Sequence, residues 1–180
     1  MANKAKIKFD DKSLRKNLMK NYETMQAERL VAYAIEQMNQ MGNELKEKML
    51  YKPSDRTHNM LNSLVWAVYY DGKEKRHGFY RNSASTKGDS YLHELDENPI
   101  PVNGRALARQ FLATHQPSEK GWEIVWGVLV PYYAYWEAGH ENIFYRSRVK
   151  FAMMTQHYDQ IKNKLGSKVN VTIEISVPRY

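Results

Sequence analysis

The sequence predicts an α+β fold: a long N-terminal helix and a second helix packed on a small, mainly antiparallel β-sheet, with a long insertion between strands. Three observations predict it. An apolar stripe at steps of three and four runs through the first fifty residues. A period-two alternation closes the chain, with Val169, Val171, Ile173, Ile175 and Val177 against Asn170, Thr172, Glu174 and Ser176. Two further apolar, strand-like runs lie between, separated by the polar stretch 73–121. Helices segregated from strands in this way make α+β rather than alternating α/β.

The first helix is expected from about Asp11 to Leu50. Leu14, Leu18, Tyr22 and Met25 recur at helical steps, and Val31, Ile35, Met38, Met41 or Gly42, Leu45 and Met49 continue the stripe. Glu28, Glu36, Gln37, Glu44 and Glu47 fall largely off it. Asp10 or Asp11 can cap its start, and Pro53 opposes continuation past Tyr51. Such a length exceeds the globular norm and leaves room for a break at Tyr22–Glu28. The methionines on this stripe read as core, because flexible Met fills irregular gaps.

A loop, Tyr51 to His58, leads into a strand over Leu64–Tyr70, whose apolar run implies cover on both faces; the turn Asp71-Gly72 ends it. Residues 73–121 read as an inserted loop region. Its one short helix is capped by Asn103 and carries Arg105, Leu107, Ala108, Phe111 and Leu112. In the next strand Trp122, Ile124, Trp126, Val128 and Val130 share one face, with Glu123, Val125 and Leu129 on the other. Pro131 stops that ladder and suits the first position of a short helix ended by Gly139. A last helix is expected from Val149 to Leu165, closed by Gly166, before the final strand.

Length and composition fit one domain of 180 residues, with a basic arm at 1–12, the insertion at 73–121, and a C-terminal strand and tail at 167–180. At 42% hydrophobic and 12% aromatic, the chain is rich enough in apolar surface to build a core. It has no cysteine, which excludes disulfides, thiolate metal sites and cysteine nucleophiles. No apolar stretch follows the N-terminal lysines and none is long enough for a membrane span, so neither a secretion signal nor membrane insertion is expected. The net charge of +7 is concentrated at the start: the first twenty residues carry seven basic side chains against two acidic ones. Lys4, Lys6, Lys8, Lys12, Arg15 and Lys16 are therefore candidates for contact with DNA or an acidic protein.

Catalytic chemistry finds little footing. The six histidines are scattered, with no i, i+4 pair for a helical metal site. Gly72, Gly78 and Gly88 are too far apart for a phosphate-binding loop, and Ser63, Ser83 and Ser147 lack a nucleophile elbow. No cofactor, metal or catalytic residue is expected. The aromatic cluster Tyr132, Tyr133, Tyr135 and Trp136, followed by Glu137, reads as core on one side and a subunit interface on the other. The apolar side of the last strand (Val171, Ile173, Ile175) is a second interface candidate, through addition to a neighbour's sheet edge.

Two segments carry a family resemblance. Thr57-His58-Asn59-Met60-Leu61-Asn62-Ser63-Leu64 is similar to a Thr-Gly-Asn-Leu-x-x-Ser-Ile stretch, and Tyr133, Ala134, Glu137 and Gly139 match a Tyr-Ala-x-x-x-Glu-x-Gly-Thr segment that follows a strand. Both occur in the tail-completion (neck, or head–tail joining) family of tailed bacteriophages, which the chain resembles over 11–72 and 122–177. It departs from the pattern at His58, Met60, His140 and Lys150 and in the length of 73–121. The resemblance implies a non-enzymatic structural virion protein, assembled in the host cytoplasm. It would form a six- or twelve-membered ring at the neck, in contact with portal or connector and tail proteins and with DNA in the channel. The competing expectations are a DNA-binding or DNA-processing protein acting through the basic arm, and a carbohydrate-binding module acting through the aromatic cluster.

Overall fold

A computed structural model describes residues 11–49, 59–80, 103–130, 133, 140–142, 147–149 and 153–175. Helix α1 runs unbroken over Asp11–Met49, so the break allowed near Tyr22–Glu28 does not occur. The short helix α2 (Asn59–Asn62) follows. Strands β1 (Leu64–Tyr70) and β2 (Lys73–Phe79) form a hairpin through Asp71 and Gly72, both at positive φ, as a tight primed turn requires. Helix α3 (Gly104–Thr114) precedes β3 (Trp122–Val128). A small ribbon pairs β4 (His140–Asn142) with β5 (Ser147–Val149). Helix α4 (Met153–Leu165), a 3-10 turn with Gly166 at φ 67, and β6 (Val169–Ile175) complete the order.

The main sheet has the order β2-β1-β3-β6. The pairings β2–β1 and β1–β3 are antiparallel, and β3–β6 is parallel. A parallel neighbour needs a long crossover, which α4 lies on. Helix α1 covers one face, where Leu30, Ala34, Met38, Met41 and Leu45 meet Leu64, Trp66, Val68, Ile124, Trp126 and Val128. On the opposite face α3 lays Ala108, Leu107, Phe111 and Leu112 against Val65, Ala67, Tyr69, Val125 and Leu129. Burial from both sides explains why β1 and β3 are apolar without alternation.

Two expectations need correction. Residues 73–79 belong to the sheet as β2, not to an inserted loop. Their sequence, Lys-Glu-Lys-Arg-His-Gly-Phe, shows no apolar period because β2 is an edge strand with its first five side chains exposed. The stretch Asn59–Asn62, between the expected loop and strand, is a short helix. Residues 147–149 form β5, so the last helix begins at Met153 instead of Val149. Other expectations hold: Asn103 Oδ1 accepts from the Ala106 N–H at 2.9 Å and caps α3.

Candidate assembly surface

Two apolar arcs share helix α1, and they face different ways. At 100° per residue, Leu30, Ala34, Met38, Met41 and Leu45 fall within an arc of about 80°, the one that meets the sheet. Leu14, Leu18, Tyr22 and Met25 fall within a second arc, centred about 160° round the axis from the first. These four and Met19 are between 49% and 68% exposed. Together with Ile35 at 38%, they are the exposed large apolar side chains among the described residues, so every one lies on α1. The sequence stripe is continuous, yet its first half points away from the molecule's own core. A 39-residue helix spans about 58 Å and a seven-residue strand about 23 Å, so α1 is far too long for the sheet it covers.

Charge divides along the same helix. Residues 12–20 hold Lys12, Arg15, Lys16 and Lys20 and no acidic side chain, and all four basic residues are exposed. Residues 28–49 hold Glu28, Glu36, Glu44 and Glu47 against Arg29, Lys46 and Lys48. Two shallow clefts flank the helix. One, about 490 Å³, lies between α1 and β2 and is lined by Ala27, Glu28, Val31, Ala32, Ile35, Lys75 and Arg76. The other, about 340 Å³, lies where Lys16, Lys20 and Tyr22 pass the stacked Tyr70–Trp122 rings. Between them Lys75 pairs with Glu23 and sits over the Tyr70 ring. The β-bulge at Val68/Tyr69 leaves Lys75 without an opposing residue on β1, and such an extra residue re-aims its side chain.

The segment that carries the first resemblance is structural. Asn59, Met60, Leu61, Asn62 and Ser63 are all buried. Asn59 Oδ1 accepts from the Gly104 N–H at 3.0 Å, and the Asn62 carbonyl accepts from Arg105 Nε at 3.2 Å. Ser63 Oγ donates to the Met60 carbonyl at 2.8 Å and accepts from the Leu129 N–H at 3.2 Å. These bonds tie α2, the start of α3 and the end of β3 into one junction. The Arg105 guanidinium lies 4.0 Å from the Phe79 ring centroid. Burial, aided by neighbouring Arg109, lowers its pKa.

A polar cluster on the α3 side looks at first like chemistry. Glu123 is buried, accepting from Thr172 Oγ1 at 2.9 Å and from the Ser118 N–H at 2.6 Å, with His115 Nε2 3.3 Å away. Neither described cleft reaches it. Its visible work is to fasten the 115–122 connection to β3 and β6. Glu123→Gln removes the carboxylate that serves these donors and is expected to cost about 2 kcal/mol in chemical denaturation. Tyr69 stacks beside His115, its hydroxyl buried without a hydrogen-bond partner among the described residues. Burial, with Glu74 and Glu123 nearby, pushes its pKa up to about 12. The stability held by the neutral phenol is full below pH 10, where the unfolded side chain ionises, and is lost as pH climbs through 12. Tyr69→Phe is expected to abolish that alkaline loss and leave stability at pH 8 equal or higher, read from urea midpoints at pH 8 and 11.

Among the described residues, no three His, Asp or Glu side chains converge as a metal site, and no helix is long and apolar enough to cross a membrane. His157 lies buried between Gln37 and Glu44, with Nε2 3.0 Å from Glu44 Oε1.

The residues singled out from sequence divide accordingly. Tyr133 is fully buried in the chain's own core and offers no ring to a neighbour. Tyr132, Tyr135, Trp136 and Glu137 lie outside the described residues, as do Lys4, Lys6 and Lys8. Val171, Ile173 and Ile175 are half-buried against the core, so among the described residues what β6 leaves open is a backbone edge rather than an apolar face. Lys12, Arg15 and Lys16 stand exposed near the start of α1. The outer arc of α1 went unrecognised as a surface, although the wheel angles of Leu14, Leu18 and Met25 relative to Met38 and Leu45 carry the signal. No family model, curated protein or solved structure matches this chain.

Proposed function

We propose that this chain is a structural subunit of a tailed-bacteriophage virion, one of a ring of copies that joins the head to the tail. One observation carries the reading: large apolar side chains stay exposed along a helix that runs beyond its own sheet. A monomer leaves such a stripe bare at the cost of solubility; an assembly covers it. The two motif resemblances agree with it, because Asn59, Asn62, Ser63 and Tyr133 all serve packing and backbone bonding. Copies meeting through a heterologous contact close into a ring when the rotation allows, and β6, the edge strand among the described residues, is a second surface for a neighbour in the neck.

Exposed Lys12, Arg15 and Lys16 favour an acidic portal face or channel DNA at the same end of α1. Gel shifts at rising salt separate these two: binding that falls steeply with salt supports DNA contact, and none leaves the protein partner. The function itself is tested by immunogold labelling of purified virions. Label at the head–tail joint is expected, and particles without label overturn the reading.

A further inference from the structure

We propose that the inner side of the α1 overhang and the end of the sheet beneath it bind single-stranded nucleic acid, lysines meeting its phosphates and Tyr70 and Trp122 its bases. This rests on the reading that DNA meets this end of α1, and gives that contact a strand type and a site. The helix supplies the first observation. Lys12, Lys16, Lys20 and Glu23 stand eighteen residues, about five turns, before Leu30, Ala34, Met38 and Met41, and so share their angular positions. The line that is apolar core above the sheet therefore continues beyond it as a mainly cationic line, on the side opposite Leu14, Leu18 and Met25. Assembly through the outer arc leaves this inner side accessible.

The second observation is what lies under the overhang. Tyr70 and Trp122 pair across β1 and β3 at the end of the sheet, their ring centroids 4.4 Å apart. Both are half-buried and line the cleft of about 340 Å³ together with Lys16 and Lys20. Lys73, opposite Tyr70 in the ladder, shares its face. Glu23 is the carboxylate in that lining, and Lys75 holds it. Among the described residues the cleft thus keeps an excess of positive charge beside rings that the core covers only in part. Phosphates use the charge and bases the rings. Lys12, Lys16 and Lys20 rise in steps of about 6 Å along α1, close to the step between neighbouring phosphates of an extended strand. A duplex stacks its bases on one another and offers only their edges, so the rings would gain nothing from it. An acidic protein would use the lysines and leave the rings idle.

Fluorescence anisotropy of the full chain with labelled oligonucleotides of about ten nucleotides gives the test. A thymidine oligomer is expected to bind at least about fivefold tighter than an abasic strand of the same length and charge, and tighter than a duplex of that length. The double variant Lys16→Ala, Lys20→Ala is expected to weaken it roughly tenfold and to lower the slope of log affinity against log salt by about 0.7 per lysine. Tyr70→Leu should erase the preference over the abasic strand and leave the salt slope in place. Lys46→Ala, about 39 Å farther along α1 than Lys20, should change nothing. Lys16 and Lys20 are exposed, so their removal spares the fold. Should Tyr70→Leu unfold in a thermal melt, the abasic comparison on the unaltered chain still decides. A uridine oligomer run in parallel assigns the site to DNA, RNA or both, each of which keeps it. Equal binding of the abasic strand or the duplex, equal loss from Lys46→Ala, or no binding at about 0.1 M salt overturns the site. Polyglutamate competing as well as unlabelled thymidine oligomer also overturns it and gives the groove to an acidic protein. None of these outcomes touches the neck assignment, which virion labelling reads.

Discussion

Trp126→Ala is expected to lower stability by about 3–5 kcal/mol. Trp126 is fully buried at the centre of β3 and is flanked in the sheet by Trp66 on β1 and Ile173 on β6. Its ring meets Tyr33 edge-on at 6.4 Å, and its indole Nε1–H donates to the Ala34 carbonyl at 3.3 Å, pinning α1 to the sheet. Truncation removes the transfer energy of the ring and opens a cavity between two layers that collapse only in part. A urea titration reads the effect as a lower midpoint at unchanged slope. Trp126→Phe, which keeps most of the volume and loses the donor, should cost about 1–2 kcal/mol. A loss below about 1 kcal/mol for the alanine variant would show that α1 does not rest on this residue.

Gly104→Ala is expected to cost several kcal/mol despite adding a single methyl group, because overpacking against backbone has no easy relief. A Cβ built on Gly104 would stand 2.1 Å from the Asn59 carbonyl oxygen, and that oxygen accepts from the Ser63 N–H in the same junction. To make room, α3 must lift from α2, which breaks the Gly104–Asn59 and Arg105–Asn62 hydrogen bonds together. The contrast is Gly42→Ala, whose Cβ would meet the Tyr80 ring first. Tyr80 is half-buried and held by Asn43 through its hydroxyl, so it can swing aside at smaller cost. Equal losses for the two variants in thermal melts would contradict this account.

The α+β class, α1 from Asp11, the faces of β1, β3 and β6 and the Asn103 cap were all legible in the sequence, because each is encoded locally by a period or a cap. Strand β2 was not, since Lys73–His77 carry no apolar alternation and their pairing is dictated by the Asp71-Gly72 turn and the bare edge of β1. The direction of β6 was also hidden: alternation fixes which side of a strand is buried but not which neighbour it joins or in which sense. For the candidate surface, the stripe on α1 was visible but its division was not. Steps of three and four occur on both arcs, and only the sum of those steps from Leu18 to Met38 reveals that the second half has turned toward the sheet. Tyr133 misled for a similar reason, since a run of aromatics does not say which ring turns inward.

The parallel seam between β3 and β6 sets an order of events during synthesis. The Trp122–Val128 edge is bare when it leaves the ribosome, and its partner at Val169–Ile175 is more than forty residues behind. Elongation at about 5–20 residues per second leaves that apolar edge unsealed for several seconds. A nascent chain stalled in that interval displays a template for strand addition by other chains, so recovery of this protein should depend on holdase chaperones and on translation speed downstream of Val128.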